Sequence, residues 1–284
     1  MLRLNKNQTG ERIVNQYKLI ALDLDGTALA PGNVIAPETR EAVAFARSRG
    51  CRVVVSTGRI CGEAAEFAAD MGADDLMVAA GGATIARVST GKCTERVSID
   101  WETAVRAAAA VERLGLNAMI YVGERLLLTP YCDMNFSRTK SNEGYLTSKE
   151  VVPSVAEYIA QHKVAVDKIF CRSTTSAMLD YVRGCLLTTE NLRVTSSGSD
   201  NVEIMAPTVN KARALEKVAA AYGTDLAHTI AIGDSPNDIE MLEAVGMPVA
   251  MGNATDEVKA IAKKITLSNA EHGVARAIYD LLTG

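Results

Sequence analysis

Residues 17–27 read Tyr17-Lys18-Leu19-Ile20-Ala21-Leu22-Asp23-Leu24-Asp25-Gly26-Thr27, and this stretch decides the fold. The apolar run Tyr17–Leu22 has the length and composition of a strand buried in a parallel sheet. It ends in two carboxylates one residue apart, followed by a glycine turn. Charges are costly in a core unless they are paired or bind a metal. Two of them at the carboxyl end of a strand, where α/β sheets open their ligand crevice, mark a candidate site. The plainer alternative is an aspartate that only caps a turn.

Outward from this strand, the first third of the chain alternates strand and helix. A helix over 37–49 opens on Pro37 and stops at Gly50. A second strand covers Cys51–Ser56, a helix over Ile60–Met71 stops at Gly72, and a third strand, Leu76–Ala80, runs into Gly81-Gly82. The last third repeats the pattern, with helices at 211–222, 239–245, 255–263 and 274–282 and strands at 229–232, 248–251 and 265–267. Such alternation implies parallel pairing through right-handed crossovers. The middle differs: short β-prone stretches at 84–87, 94–99, 118–122, 125–128, 168–171, 192–196 and 201–205 interleave with helices at 101–114, 152–162 and 175–186. The expectation is an α/β fold with a Rossmann-like parallel sheet core formed by 17–83 and 206–284. An α+β domain is inserted over 84–205, and a flexible extension occupies 1–16.

A chain of 284 residues accommodates one large domain or two modest ones. Hydrophobic residues at 48% and charged residues at 23% are those of a globular protein. A net charge of −4, without an arginine-rich stripe, argues against duplex nucleic acid as a partner, and 5% aromatics argue against a base-stacking surface. No run approaches the ~20 apolar residues of a membrane span. Met1–Gln16 is polar and has no apolar signal core, so the expected address is cytoplasmic. Cys51, Cys61, Cys93, Cys132, Cys171 and Cys185 form no CxxC and no cluster with the three histidines. They read as buried free thiols, not as a zinc site or a disulfide framework. No GxGxxG follows the first strand and no GxxxxGK[ST] exists, which excludes dinucleotide-binding and P-loop readings.

Four groups of chemistry-bearing residues fall at strand ends or helix starts. They are Asp23 with Asp25; Ser56-Thr57-Gly58-Arg59; Asn210-Lys211; and Gly233-Asp234-Ser235-Pro236-Asn237-Asp238. The spacings are 34 residues from Asp23 to Thr57, 154 on to Lys211 and 23 on to Asp234, the long gap being the insert. If these strand ends share one sheet edge, the side chains converge. In this order the four groups resemble the motifs of the haloacid dehalogenase superfamily of aspartate-nucleophile phosphotransferases. The likeness runs over 17–284. The insert and the late His272-Gly273-Val274 resemble the Cof-type branch, whose large α+β cap lies between the second and third motifs.

The resemblance implies a phosphatase that works through an aspartyl phosphate. Such a displacement needs a nucleophile, a proton donor for the leaving oxygen and positive charge on the phosphoryl oxygens. Asp23 is the expected nucleophile. A carboxylate attacking a dianion is repelled, so a cation is required. Asp23, Asp234 and the Asp25 carbonyl offer hard oxygens to Mg²⁺, with Asp238 beside them. Asp238 serves a metal-bound water, orients Lys211 or caps a helix. Asp25 is the expected acid for the leaving oxygen and then the base for water. The family's ATPases carry threonine at that position, so an acid there fits hydrolysis. Lys211 is the second cation, touching Asp23 and phosphate; taken alone it is a solvated lysine at a helix start, where it opposes the macrodipole. Thr57 offers a hydroxyl and a backbone N–H to phosphate, Gly58 permits close approach, and Asn237 touches phosphate or caps the next helix. Arg59 and Gly82 are the expected substrate contacts, although Arg59 can equally hold Gly81-Gly82 or form a surface ion pair. The branch often has Asn-Gly where this chain has Gly81-Gly82, and glycine in the segment where Thr208 stands.

The expected partner is a small phosphorylated metabolite, with no nucleic acid and no membrane. Sugar phosphates, pyridoxal phosphate and flavin mononucleotide all fit the resemblance, and few aromatic stacking partners favour sugars. Arg125, Arg138, Lys140 and Lys168 are candidates for meeting the substrate, or else solvated charges. A phosphomutase like the related phosphomannomutases is the alternative. A non-catalytic binding module is a further one, against which the intact Asp23, Asp25, Lys211 and Asp234 argue. The whole account requires the Lys211 amine to touch the Asp23 carboxylate.

Overall fold

The structure, a computed structural model, describes residues 16–136, 142–189 and 191–283. Arg138 and Lys140, and all of the expected extension except Gln16, lie outside the described residues. The first block comprises β1 (Leu19–Leu22), a small hairpin of β2 (Leu29–Ala30) and β3 (Val34–Ile35), α1 (Pro37–Ser48), β4 (Arg52–Val55), α2 (Cys61–Asp70) and β5 (Leu76–Ala79). There follow β6 (Thr84–Arg87), β7 (Cys93–Arg96), α3 (Trp101–Arg113), β8 (Asn117–Val122), β9 (Arg125–Leu128), α4 (Pro130–Phe136) and α5 (Glu143–Ser148). The insert continues with β10 (Lys149–Val151), α6 (Val155–His162), β11 (Lys168–Arg172), α7 (Ser176–Thr189), β12 (Arg193–Thr195) and β13 (Asn201–Met205). The last block comprises α8 (Lys211–Ala221), β14 (Thr229–Gly233), α9 (Ile239–Ala244), β15 (Met247–Ala250), α10 (Asp256–Ile261), β16 (Lys264–Ile265) and α11 (Gly273–Thr283).

The core is a parallel sheet ordered β16-β15-β14-β1-β4. β1 lies inside it, between β14 and β4, and its four residues are fully buried, as an uninterrupted apolar run requires. A parallel bridge from Ser56 to Val78 carries the sheet on towards β5. The insert contributes a second sheet, ordered β10-β9-β8-β11-β13-β12 and antiparallel except for the β9–β10 pair. The α/β class, the parallel core and the inserted α+β cap are therefore all present.

We propose a later start for the insert than the sequence reading gives. β6 pairs antiparallel with β5, and β7 with β6, so residues 84–96 extend the core side rather than open the insert. Gly81 and Gly82 are not a linker but a reversal, at φ +70° and +98°, conformations that favour glycine. On this pairing we propose drawing the first boundary between Arg96 and Ile99, where Ile99 bridges to Val166. Two short elements, α5 and β10, also depart from expectation. α5 has six residues and a glycine, too little to hold a helix alone. It is held by packing: a Cβ on Gly144 would overlap the Gly62 backbone of α2, and the Gly144 N–H donates to Glu66. The expected helix at 152–162 starts only at Val155, because Ser154 caps it through the Glu157 N–H.

Cys51, Cys61, Cys132 and Cys171 are buried and in no disulfide and Cys93 is half-buried, while the side chain of Cys185 lies outside the described residues; the Cys61 and Cys93 sulfurs lie 3.2 Å apart in a hydrogen bond. Among the described residues, no helix is long and apolar enough to cross a membrane.

Candidate active site

The carboxyl ends of β1, β4 and β14 meet at one edge of the parallel sheet, and the side chains they carry converge. The Asp23 N–H donates to the Ile232 carbonyl at 3.1 Å, which continues the β1–β14 ladder one residue past the strand and fixes where the carboxylate starts. The chain then turns tightly, with the Ala28 N–H returning to the Asp23 carbonyl at 3.1 Å. Gly26 makes that turn at φ +78°, and a Cβ there would overlap the Asp234 carboxylate. Thr27 Oγ1 donates to Asp234 Oδ1 at 2.7 Å and Ser235 Oγ donates to Oδ2 at 2.9 Å.

Lys211 enters from the start of α8, where Asn210 caps the helix through the Arg213 N–H. Its Nζ lies 2.6 Å from Asp23 Oδ1 and 2.7 Å from Asp238 Oδ1, and the side chain is 1% exposed. The other Asp238 oxygen accepts the N–H groups of Asp234 and Ser235. Burial alone would lower the Lys211 pKa, but the charges of Asp23 and Asp238 outweigh it and the ammonium is held. Burial pushes the carboxyls of Asp23 and Asp234 up, Asp234 to about 6, and the neighbouring carboxylates push the same way.

Three carboxylates thus face one ammonium. Oxygens of Asp23, Asp234 and Asp238 all lie within 4.8 Å of one another. A buried, all-oxygen group in which burial, and then neighbouring carboxylates, push Asp23 and Asp234 towards neutrality fits a hard divalent cation. The Asp25 carboxylate does not join this group. It receives Arg59 Nε at 2.8 Å and Nη2 at 2.5 Å, a bidentate pair. Arg59 also pairs with buried Glu63 and lies over the Phe67 ring at 4.8 Å. It is therefore neither a surface ion pair nor a prop for Gly81-Gly82.

Two expected contacts are placed differently. The Thr57 N–H is taken by the Val78 carbonyl at 2.9 Å and is not open to phosphate; the residue is fully buried and its Oγ1 accepts the Arg59 N–H at 3.2 Å. Gly82 does not line the cavity that Asp23 and Asp25 line. It packs behind, where a Cβ would overlap the Asn210 carbonyl, so it seats the segment that presents Lys211. Asn237 and Gly58 do line the cavity.

That cavity has a volume of about 670 Å³ and is roofed by one face of the insert sheet. The register explains the roof. Lys168 stands opposite Tyr121 and Met205, Phe170 opposite Met119 and Glu203, and Arg172 opposite Asn201. Of the cationic candidates in the insert, Lys168 is 1% exposed and lies in the cavity, whereas Arg125 pairs with Glu150 and Tyr158 outside it. Glu63, Glu203, Tyr121 and Phe170 were not anticipated. The signal available for the last three was charged and aromatic residues recurring at every second position of short strands.

Removing the Lys211 charge tests the electrostatics independently of chemistry. Lys211→Met leaves buried carboxylates without their ammonium, and in metal-free buffer it is expected to cost about 3 kcal/mol or more of folding stability by urea denaturation. An unchanged midpoint would show that the carboxylates do not depend on it.

A model of the haloacid dehalogenase-like hydrolase family matches residues 20–278. The 5-amino-6-(5-phospho-D-ribitylamino)uracil phosphatase YwtE of Bacillus subtilis is 32% identical, over 94% of this chain and 99% of its own length. The pyridoxal phosphate phosphatase YbhA of Escherichia coli is 30% identical, over 93% of this chain and 98% of its own. A solved haloacid dehalogenase-like hydrolase from B. subtilis superimposes with a TM-score of 0.80 at 28% identity, over 92% of this chain and 98% of that one. With the sheet order, the four converging motifs and these likenesses over nearly its whole length, the chain belongs to the haloacid dehalogenase-like hydrolases, as a phosphatase of their Cof-type branch.

Proposed function

We propose that this phosphatase is Mg²⁺-dependent and hydrolyses a small phosphorylated metabolite through an aspartyl phosphate on Asp23. The observation that carries the reading is the Asp23 carboxylate, which lines the cavity, is tied by one oxygen to Lys211 and is grouped with Asp234 and Asp238. Asp23, Asp234 and Asp238 would hold the ion, which when bound supplies charge neutralisation for the phosphoryl oxygens. Lys211 holds Asp23 Oδ1, so Oδ2 attacks phosphorus. The P–O ester bond breaks, and Asp25 gives its proton to the leaving oxygen. Asp25 then takes a proton from water, which attacks the phosphoryl group, releases inorganic phosphate and restores Asp23. Arg59 keeps Asp25 facing the cavity throughout, and the hydroxyl of Thr57 and the side chain of Asn237 are the assigned phosphate contacts.

The roof bears on the leaving group. Aromatics are scarce in the sequence, but Phe67, Tyr121 and Phe170 gather around this one cavity, which removes the compositional argument for sugars. A leaving group with a planar ring fits better, in keeping with the ring-bearing substrates in the names of YwtE and YbhA. The test is phosphate release from phosphorylated ribitylaminouracil, pyridoxal phosphate and hexose phosphates. Ring-bearing esters are expected to exceed the sugars in kcat/KM by roughly threefold to tenfold. A preference for hexose phosphates would overturn the ring assignment, and isomer formation without phosphate release would replace hydrolysis with a mutase.

A further inference from the structure

Resting on that reading, we infer that Lys168 is a positioning residue that couples the seating of the cap sheet to the placing of Asp25. Lys168 belongs to β11 of the insert, yet its Nζ donates to the carbonyl of Gly58 at 2.8 Å, in the loop after β4 of the core. On its own sheet it pairs with Glu203 Oε2 at 2.8 Å, both side chains being almost wholly buried. The rings of Tyr121 and Phe170 lie at 5.2 and 5.7 Å. A desolvated ammonium needs acceptors for its hydrogens, and here one of them comes from the opposite sheet. The fit is close: a Cβ at residue 58 would stand 3.0 Å from Nζ, and the ammonium would have to give by a few tenths of an ångström.

The Gly58 carbonyl and the Arg59 N–H are two ends of one planar peptide unit. Lys168 holds the first, and Thr57 Oγ1 accepts from the second at 3.2 Å. This clamped plane is where the Arg59 side chain begins, and the Arg59 guanidinium grips Asp25 with two hydrogen bonds. The cap lysine therefore acts on Asp25 through residues 58 and 59. Asp23, Lys211 and the acidic cluster do not depend on this route. Lys168 accordingly governs the two proton transfers of Asp25, to the leaving oxygen and later from water, and not the attack of Asp23 on phosphorus; kcat/KM reads only as far as the first of them.

The two steps separate by leaving group. An alkyl phosphate needs a proton on its departing oxygen, whereas p-nitrophenolate leaves unaided. Lys168→Met, and Lys168→Met with Glu203→Gln so that no carboxylate is left buried without its cation, are compared with the parent protein on glycerol phosphate and p-nitrophenyl phosphate. The kcat/KM for the alkyl ester is expected to fall on the order of 10- to 100-fold, within the range a general acid contributes, and that for the aryl ester by less than about threefold. Turnover of the aryl ester also reports that each variant has folded. Equal losses on both esters, or no loss on either, overturn the role of Lys168 alone. A parent protein that releases phosphate from neither, nor from phosphorylated ribitylaminouracil, pyridoxal phosphate or hexose phosphates, overturns the proposed function and this inference together.

Discussion

Replacing Asp23 by asparagine lowers phosphate release by on the order of 10⁵-fold or more, the scale on which an enzyme loses turnover with its nucleophile. An amide has the shape of the carboxylate and can still accept a hydrogen from Lys211, but it cannot form the acyl phosphate. The fold is expected to survive. Burial and three neighbouring carboxylates already push Asp23 towards its neutral form, so an uncharged side chain there relieves repulsion, and the melting temperature of Asp23→Asn is expected to equal or exceed that of the parent. Full activity in this variant would remove the nucleophile assignment. Loss of activity together with loss of the melting transition would show a structural role instead.

Withdrawing the metal has an effect of similar size. Asp23, Asp234 and Asp238 carry more negative charge than Lys211 can balance, and a phosphate dianion must approach them. Excess EDTA is expected to reduce turnover to background and added Mg²⁺ to restore it. A readout apart from turnover is available, because a ligand that binds only the folded state raises the melting temperature. Mg²⁺ at 100 times its dissociation constant corresponds to about 2.7 kcal/mol, and Asp234→Asn is expected to lose most of that gain. Undiminished activity in EDTA would exclude the ion from the reaction.

The floor of the site was legible in the sequence and its roof was not, for a physical reason. Asp23, Asp25, Thr57, Lys211 and Asp234 each sit in a short run whose neighbours already betray a strand end or a helix start, so each could be placed before the chain was folded. Lys168, Phe170 and Glu203 acquire meaning only through register: Lys168 faces Tyr121 and Met205 across two antiparallel pairings, and nothing local states that register. The same limit explains β6 and β7. Gly81-Gly82 reads equally well as a linker or as a turn, and only the pairing of Leu76 with Arg87 and of Ala79 with Thr84 decides for the turn. α5 was invisible for the opposite reason, since its local sequence disfavours a helix and the Gly62–Gly144 contact imposes one. The expectation that Gly82 meets substrate comes from the family resemblance; what the fold shows is Gly82 packed against the Asn210 carbonyl, away from the residues that line the cavity.

β1 has one of its two parallel neighbours early and the other very late. Ile20 pairs with Val53, which follows it closely, but also with Ile230, 210 residues further on (230 − 20). At the pace of ribosomal synthesis that interval lasts roughly 10–40 s. For that time the nascent amino-terminal half presents an apolar strand with one open edge, and the whole cap must emerge before β14 arrives to cover it. Fragments ending before Thr229 are therefore expected to aggregate through that open edge.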